Sequence, residues 1–255
     1  MYAIDVQQPK TLDAAAAALK SSGGRPLAGG QSLIAAMKLR LSQPGTLVDL
    51  AAIPDLKGVR KDGNRLVIGA MTRHADVAAS DVVKGALPAL AKVAEGIGDR
   101  QVRNMGTLGG SLANNDPAAD WPAAVLGCGA TVRTNVRAIA ADDFFKGMFE
   151  TALAPDEIIT AVEFPLPARS AYAKFPNPAS RFALVGAVSY THLTLPTISS
   201  RACSRRRWRP TKSSRPSNFR CPRARRMRNF PIRRRALRSS VCSLRRPAMM
   251  TFASP

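Results

Sequence analysis

Two glycine-bearing segments hold most of the residues that could do chemistry. The first is Ala28-Gly29-Gly30-Gln31-Ser32-Leu33, between a strand-like and a helix-like stretch. Glycine has no Cβ, so successive backbone N–H groups can converge on an anion, and a helix start just downstream adds its positive dipole end. Ser32 adds a hydroxyl donor. The second is Arg103-Asn104-Met105-Gly106-Thr107-Leu108-Gly109-Gly110-Ser111-Leu112-Ala113-Asn114-Asn115-Asp116-Pro117-Ala118-Ala119-Asp120, a run of small residues, hydroxyls, amides and two carboxylates. Gly109 and Gly110 let backbone approach a phosphate, and Thr107 and Ser111 can donate to its oxygens. Asp116 and Asp120 are better suited to accepting from sugar-like hydroxyls. A short glycine turn also serves simply to join a strand to a helix, so the first segment alone decides little. The second is too long and too polar to be explained by packing.

The surrounding elements read as follows. Thr11 caps a helix over 11–20, stopped by Ser21-Ser22-Gly23-Gly24. Residues 25–28 form a strand into the glycine turn, and Leu33, Met37 and Leu41 at i, i+4, i+8 predict a helix over 32–41. Strands follow over 46–50 and 66–70, with a helix capped by Thr72 through Ala79 and another over 87–96. Residues 99–120 read as loop, 143–147 as a short helix, and 157–164 as a strand stopped by Pro165. Pro165, Pro167, Pro176 and Pro178 mark a linker-like stretch; 171–174 and 182–187 look like first strands of a further domain, left without partners.

The net charge of +21 would ordinarily suggest a nucleic-acid partner. Its placement argues otherwise. Residues 188–255 hold 18 Lys and Arg and no acidic residue, whereas residues 1–187 hold 20 basic against 17 acidic ones. Cys128 is the one cysteine in that near-neutral body, which excludes an internal disulfide or a four-cysteine iron–sulfur cluster there. The start lacks signal-peptide features and no apolar run reaches membrane-spanning length, so a soluble, cytoplasmic protein is expected. The decapeptide VSYTHLTLPT from Val188 to Thr197 matches, at every position, the translation of a DNA adapter used in sequencing libraries. The Arg, Pro, Ser and Ala that follow are what GC-rich DNA yields in a wrong frame. Residues 188–255 are therefore expected to be an artefact and disordered; the other reading is an arginine-rich arm for nucleic acid.

Together the two segments resemble the FAD-binding medium subunit of the xanthine dehydrogenase and carbon monoxide dehydrogenase family of molybdenum hydroxylases. AGGQSL is similar to that family's first pyrophosphate loop and RNMGTLGGSLANNDPAADWP to its second; Val67-Ile68-Gly69-Ala70-Met71-Thr72, Phe144-Phe145-Lys146-Gly147 and Asp156-Glu157-Ile158-Ile159 also fit. The resemblance covers about residues 1–187 and implies an α+β, two-subdomain flavoprotein fold of the PCMH type. Its FAD-binding domain would span 1–170, as a small α/β subdomain (1–55) and a larger mixed one (56–170), followed by the truncated start of a C-terminal domain (171–187).

The resemblance further implies that Leu27, Ala28, Gly29, Gly30, Gln31, Ser32, Leu33 and Ile34 wrap the FAD pyrophosphate. Thr107, Gly109, Gly110 and Ser111 would complete that cradle, with Asn115 and Asp116 in the same loop. Asp120 would bond the hydroxyl-bearing part of the flavin, and Ile159 and Lys174 would lie near its isoalloxazine end. The implied role is electron transfer, with no catalytic residue and no metal ligand in this chain. Electrons would come from a large molybdopterin-binding subunit through the [2Fe–2S] clusters of a small iron–sulfur subunit, and pass by way of FAD to NAD or a quinone. Two alternatives stay open: a stand-alone flavin oxidase of the vanillyl-alcohol-oxidase type, and a nucleic-acid-binding protein if the tail is genuine. His74 reads as a surface or packing residue rather than a base, Cys128 as a buried apolar residue, and Trp121 as packing behind the second segment.

Overall fold

A computed structural model describes residues 3–191 of the chain. Strands β1 (Asp5–Gln7), β2 (Arg25–Leu27) and β3 (Thr46–Asp49) form a parallel sheet in the order β1-β3-β2. Helix α1 (Leu12–Ser22) makes the first crossover; as expected, Thr11 caps it by accepting from Ala14 N, and Gly23 ends it at φ 59°. Helix α2 (Leu33–Lys38), which follows the first glycine segment, is shorter than its apolar stripe predicts. Met37 is buried, but Arg40 turns to φ 62° and Leu41 is 79% exposed. The stripe finds a packing partner only as far as Met37, and a helix face without one has little to sustain it.

After a 3-10 turn (Pro54–Leu56) come β4 (Val59–Asp62), β5 (Arg65–Gly69), α3 (His74–Ala79), α4 (Asp81–Ala86) and α5 (Pro88–Glu95). Thr72 does not cap α3. Arg73 holds that position, while the Thr72 hydroxyl donates to Gly58 O and accepts from Gly58 N, both at 3.0 Å. Nor are residues 99–120 a loop: they form α6 (Arg100–Met105), α7 (Leu108–Asn114) and the start of α8 (Asp120–Gly127). Low local propensity is overcome by caps, since Asp99 accepts from Val102 N and Thr107 from Gly110 N, and by burial of Leu108 and Leu112.

Next come β6 (Thr131–Thr134), β7 (Ala138–Ala140), α9 (Ala141–Phe144), β8 (Phe145–Gly147), β9 (Glu150–Thr151) and β10 (Ile159–Pro165). The helix expected over 143–147 thus becomes the end of α9 and a strand. An antiparallel sheet has the order β4-β5-β10-β6-β7, and β8 pairs with β9. Leu66, Ile68, Val132, Val162 and Phe164 of that sheet share one core with Leu90, Leu108, Leu112, Trp121 and Val125 from the helices. Each such burial contributes about 1.5–3 kcal/mol. A second core joins Ala15, Leu19 and Val48 to Leu56, Met71 and Ile158, fixing the parallel sheet against the rest.

The last strands, β11 (Arg169–Pro176) and β12 (Ala183–Thr191), pair with each other antiparallel rather than standing without partners. β12 also runs past the boundary expected at Ala187, because Val188 pairs with Tyr172 and packs close to Gly127 on α8. The remainder of the expected artefactual tail, from His192 onward, lies outside the described residues. No described helix is long and apolar enough to cross a membrane.

Candidate functional site

The two glycine segments meet. A Cβ added to Gly29 would lie 2.2 Å from Met105 O and 2.7 Å from Gly106 Cα, and one added to Gly110 would lie 3.3 Å from Ala28 Cβ. Only glycine at position 29 lets the segments touch.

They contribute differently. Gly30 has φ 70°, and the amide N–H groups of Gly29, Gly30, Gln31 and Ser32 donate to no acceptor among the described residues. The Ser32 hydroxyl makes no capping bond either. Four consecutive donors on a left-handed turn form an anion-binding concavity. Helix α2 is too short for its dipole to add much at this turn.

In the second segment the backbone is already engaged. Leu108 N donates to Thr72 O, Gly109 N to Ala70 O at 2.8 Å, Gly110 N to Thr107 Oγ1 and Ser111 N to Thr107 O. Gly109 is glycine because a Cβ there would lie 2.6 Å from Ala70 Cβ. The N–H groups of Gly109 and Gly110 are thus engaged within the fold, and the second segment's available donors are the hydroxyls of Thr107 and Ser111.

Both segments line a cleft of about 1260 Å³, above the range of about 300–1,000 Å³ usual for ligand pockets. Leu27, Ala28, Gln31, Leu33, Asp116, Asp120, Ile159 and Lys174 also face it. Ile34 and Asn115 do not. Ile34 Cδ1 lies beneath Gly30, 2.6 Å from where a Cβ would be. Asn115, at φ 44°, donates Nδ2 to Gly147 O at 2.7 Å and Glu150 O at 2.9 Å, so its amide holds the β8–β9 hairpin.

Asp120 is buried. Its Oδ2 pairs with Lys174 Nζ at 2.9 Å, and its Oδ1 accepts from the Tyr172 hydroxyl. Lys174 Nζ also donates to Gly96 O at 2.9 Å. Burial raises the Tyr172 pKa, and the Asp120 bond and charge raise it further, so the phenol stays a donor. Each carboxylate oxygen keeps a lone pair for a further donor.

Three residues at or beside the cleft were given no site role in the sequence. Tyr172 is one. Glu157 is another: Arg137 grips it from Nε and Nη2 at 3.0 Å each, with Thr134 Oγ1 and Ala154 N also donating. The Arg137 hydrogen bonds, against the opposing cost of burial, hold its pKa down to about 2. The third is His74, whose Nδ1 accepts from Trp121 Nε1 at 3.1 Å and whose pKa burial lowers to about 4. All three contacts span long sequence separations that no local pattern reports. Trp121 packs behind the second segment as expected, and Cys128 is buried, its thiol pushed up to about 11.

The family described as "FAD binding domain in molybdopterin dehydrogenase" matches residues 2–167. This chain belongs to that family. Over 169 residues it is 43% identical to the carbon monoxide dehydrogenase medium chain of Afipia carboxidovorans, covering 64% of this chain and 59% of that one. It is 42% identical to the glyceraldehyde dehydrogenase medium chain of Sulfolobus acidocaldarius, covering 56% and 52%. The fold superposes on carbon monoxide dehydrogenase from Hydrogenophaga pseudoflava with TM-score 0.71 and 37% identity, covering 73% of this chain and 68% of that one. Quinoline 2-oxidoreductase from Pseudomonas putida 86 gives 0.71 at 33% identity, with the same coverage. The chain thus spans little more than half the length of the first two relatives.

FAD is the cofactor of this domain, and the residues present fit it. Free N–H groups and two hydroxyls suit a pyrophosphate, Asp120 suits hydroxyls, and Leu27, Leu153, Ile158 and Ile159 supply apolar wall.

Proposed function

We propose that the chain is the FAD-binding electron-transfer subunit of a molybdenum hydroxylase. It docks with a small iron–sulfur subunit and a large molybdopterin-binding subunit, and delivers electrons to NAD or a quinone. The observation that carries this reading is the meeting of the two segments, with four N–H groups that have no acceptor among the described residues on one side and two hydroxyls on the other.

When bound, FAD supplies the redox chemistry, accepting electrons from one partner and releasing them to another. The chain supplies position. The N–H groups of Gly29, Gly30, Gln31 and Ser32 hold the pyrophosphate from one side, and Thr107 and Ser111 donate from the other. Asp120 would hold the hydroxyl-bearing chain with its remaining lone pairs, and Ile159 and Lys174 would lie toward the ring. The designation "medium chain" of the relatives supports an assembly of several chains.

Purification from the native source tests the reading. The expected product is a complex in which large and small subunits accompany this one, and whose reduced form passes electrons to NAD or a quinone analogue. An active, solitary flavoprotein would contradict it and favour the oxidase alternative.

A further inference from the structure

His74 is only 5% exposed, yet it lines the cleft. Its Nδ1 accepts the indole N–H of Trp121 at 3.1 Å. An indole N–H can only donate, so Nδ1 must present a lone pair and the ring proton sits on Nε2. That Nε2–H has no acceptor among the described residues. It is not sealed off either, since no buried side-chain polar atom among them lacks a partner. The donor therefore keeps some exposure, on a ring that lines the cleft.

Its place is defined by Gly106. A Cβ there would lie 2.8 Å from Nε2 and 2.9 Å from Cδ2, so this glycine, next to Thr107, gives the ring its room. Gly106 O accepts from His74 N at 3.0 Å, and Gly106 Cα is the atom that a Cβ on Gly29 would strike. The imidazole thus sits where the two segments touch.

We propose that His74 is a further cofactor contact, its Nε2–H a neutral donor to a phosphate oxygen of FAD at the junction of the two segments. The inference rests on the FAD reading above. A protonated ring would have to break the Trp121 bond, because two N–H groups cannot face each other. Burial opposes the charged form as well, pushing the pKa down to about 4. The contact therefore adds direction without adding charge, and Trp121 acts through His74 by fixing its tautomer. A purely structural His74 would hold Trp121 and Gly106 in the same way but would not sense the cofactor.

The chain has two histidines, His74 and His192, so an imidazole 15N spectrum of the full 255-residue chain contains two rings, assigned with His192→Asn. At pH 7 and without flavin, His74 is expected to show an unprotonated Nδ1 and a protonated Nε2. Added FAD should move the Nε2–H proton downfield and slow its exchange with water, leaving Nδ1 unprotonated. His74→Phe should weaken FAD binding about three- to tenfold, and His74→Gln, which can both accept and donate, should restore most of it. FAD binding that leaves Nε2 unchanged overturns the inference while the flavin site stands. Protonation of Nδ1 on binding overturns the neutral contact. Failure of the unaltered chain to bind FAD overturns the flavin reading itself and this inference with it. Should His74→Phe fail to fold, the spectrum of the unaltered protein still decides.

Discussion

Lys174 Nζ lies 2.9 Å from Asp120 Oδ2 and 2.9 Å from Gly96 O, so one ammonium ties β11 to the first turn of α8 and to the end of α5. The side chains of the pair are 10% and 5% exposed. Removing one partner from a pair this buried costs about 3–5 kcal/mol, because the remaining charge is left without compensation. Lys174→Met is expected to lower the melting temperature by about 10 °C and to weaken FAD binding, since both residues of the pair line the cleft. Tyr172→Phe, which removes only the hydroxyl on Asp120, should cost about 1–3 kcal/mol. Calorimetry of both variants checks the order.

Glu157 predicts an acid limit. The carboxyl is held down to about 2 in the folded chain against an unperturbed value of 4.5, chiefly by Arg137. A carboxyl with a depressed folded pKa stabilises above its unfolded pKa, and that contribution is lost as pH falls from about 4.5 toward 2. Glu157→Gln should lower stability by about 2 kcal/mol near neutrality, and the difference from wild type should shrink across that acid window. Urea unfolding at a series of pH values measures both; a difference that persists unchanged at pH 2.5 would show that Glu157 acts through something other than its charge.

Two glycines make opposite predictions. Gly29→Ala forces a methyl into the Met105 carbonyl and should lower stability by several degrees. Gly85→Ala sits on an exposed face of α4 with nothing within 4 Å and should stabilise by about 0.4–1 kcal/mol, through helix propensity and a less free unfolded chain. Thermal scans of the two variants side by side should shift in opposite directions.

Much of this architecture is legible from local pattern. Thr11 as a cap, Gly23 as a stop and the strands around the first glycine segment depend only on near neighbours, and local chemistry decides them. The misreadings have a common physical origin in long-range packing. Leu41 continues a helical stripe in sequence, but no surface covers it. Gly109 and Gly110 argue against helix locally; α7 forms because Thr107 caps it and Ala70 leaves no room for a side chain at 109. At the site, the segments themselves were readable, but the division between backbone donors and hydroxyls was not. It depends on Ala70 and Thr72, far away in the chain, taking up the N–H groups of Gly109 and Leu108. Asn115 looked free for a ligand because its acceptors, Gly147 and Glu150, lie on a later hairpin.

If the two segments hold the cofactor jointly, equilibrium titration of FAD into the full chain, followed by flavin fluorescence, reads the contribution of each. Wild type and Gly85→Ala should each take up one FAD per chain with the same affinity. Gly29→Ala, which wedges the segments apart, and Gly110→Val, which presses on Thr107 and Ala28, should each bind at least about tenfold more weakly while keeping a wild-type far-ultraviolet circular dichroism spectrum. Wild-type affinity in both folded variants, or no binding by the unaltered chain, would show that the two segments do not hold FAD together.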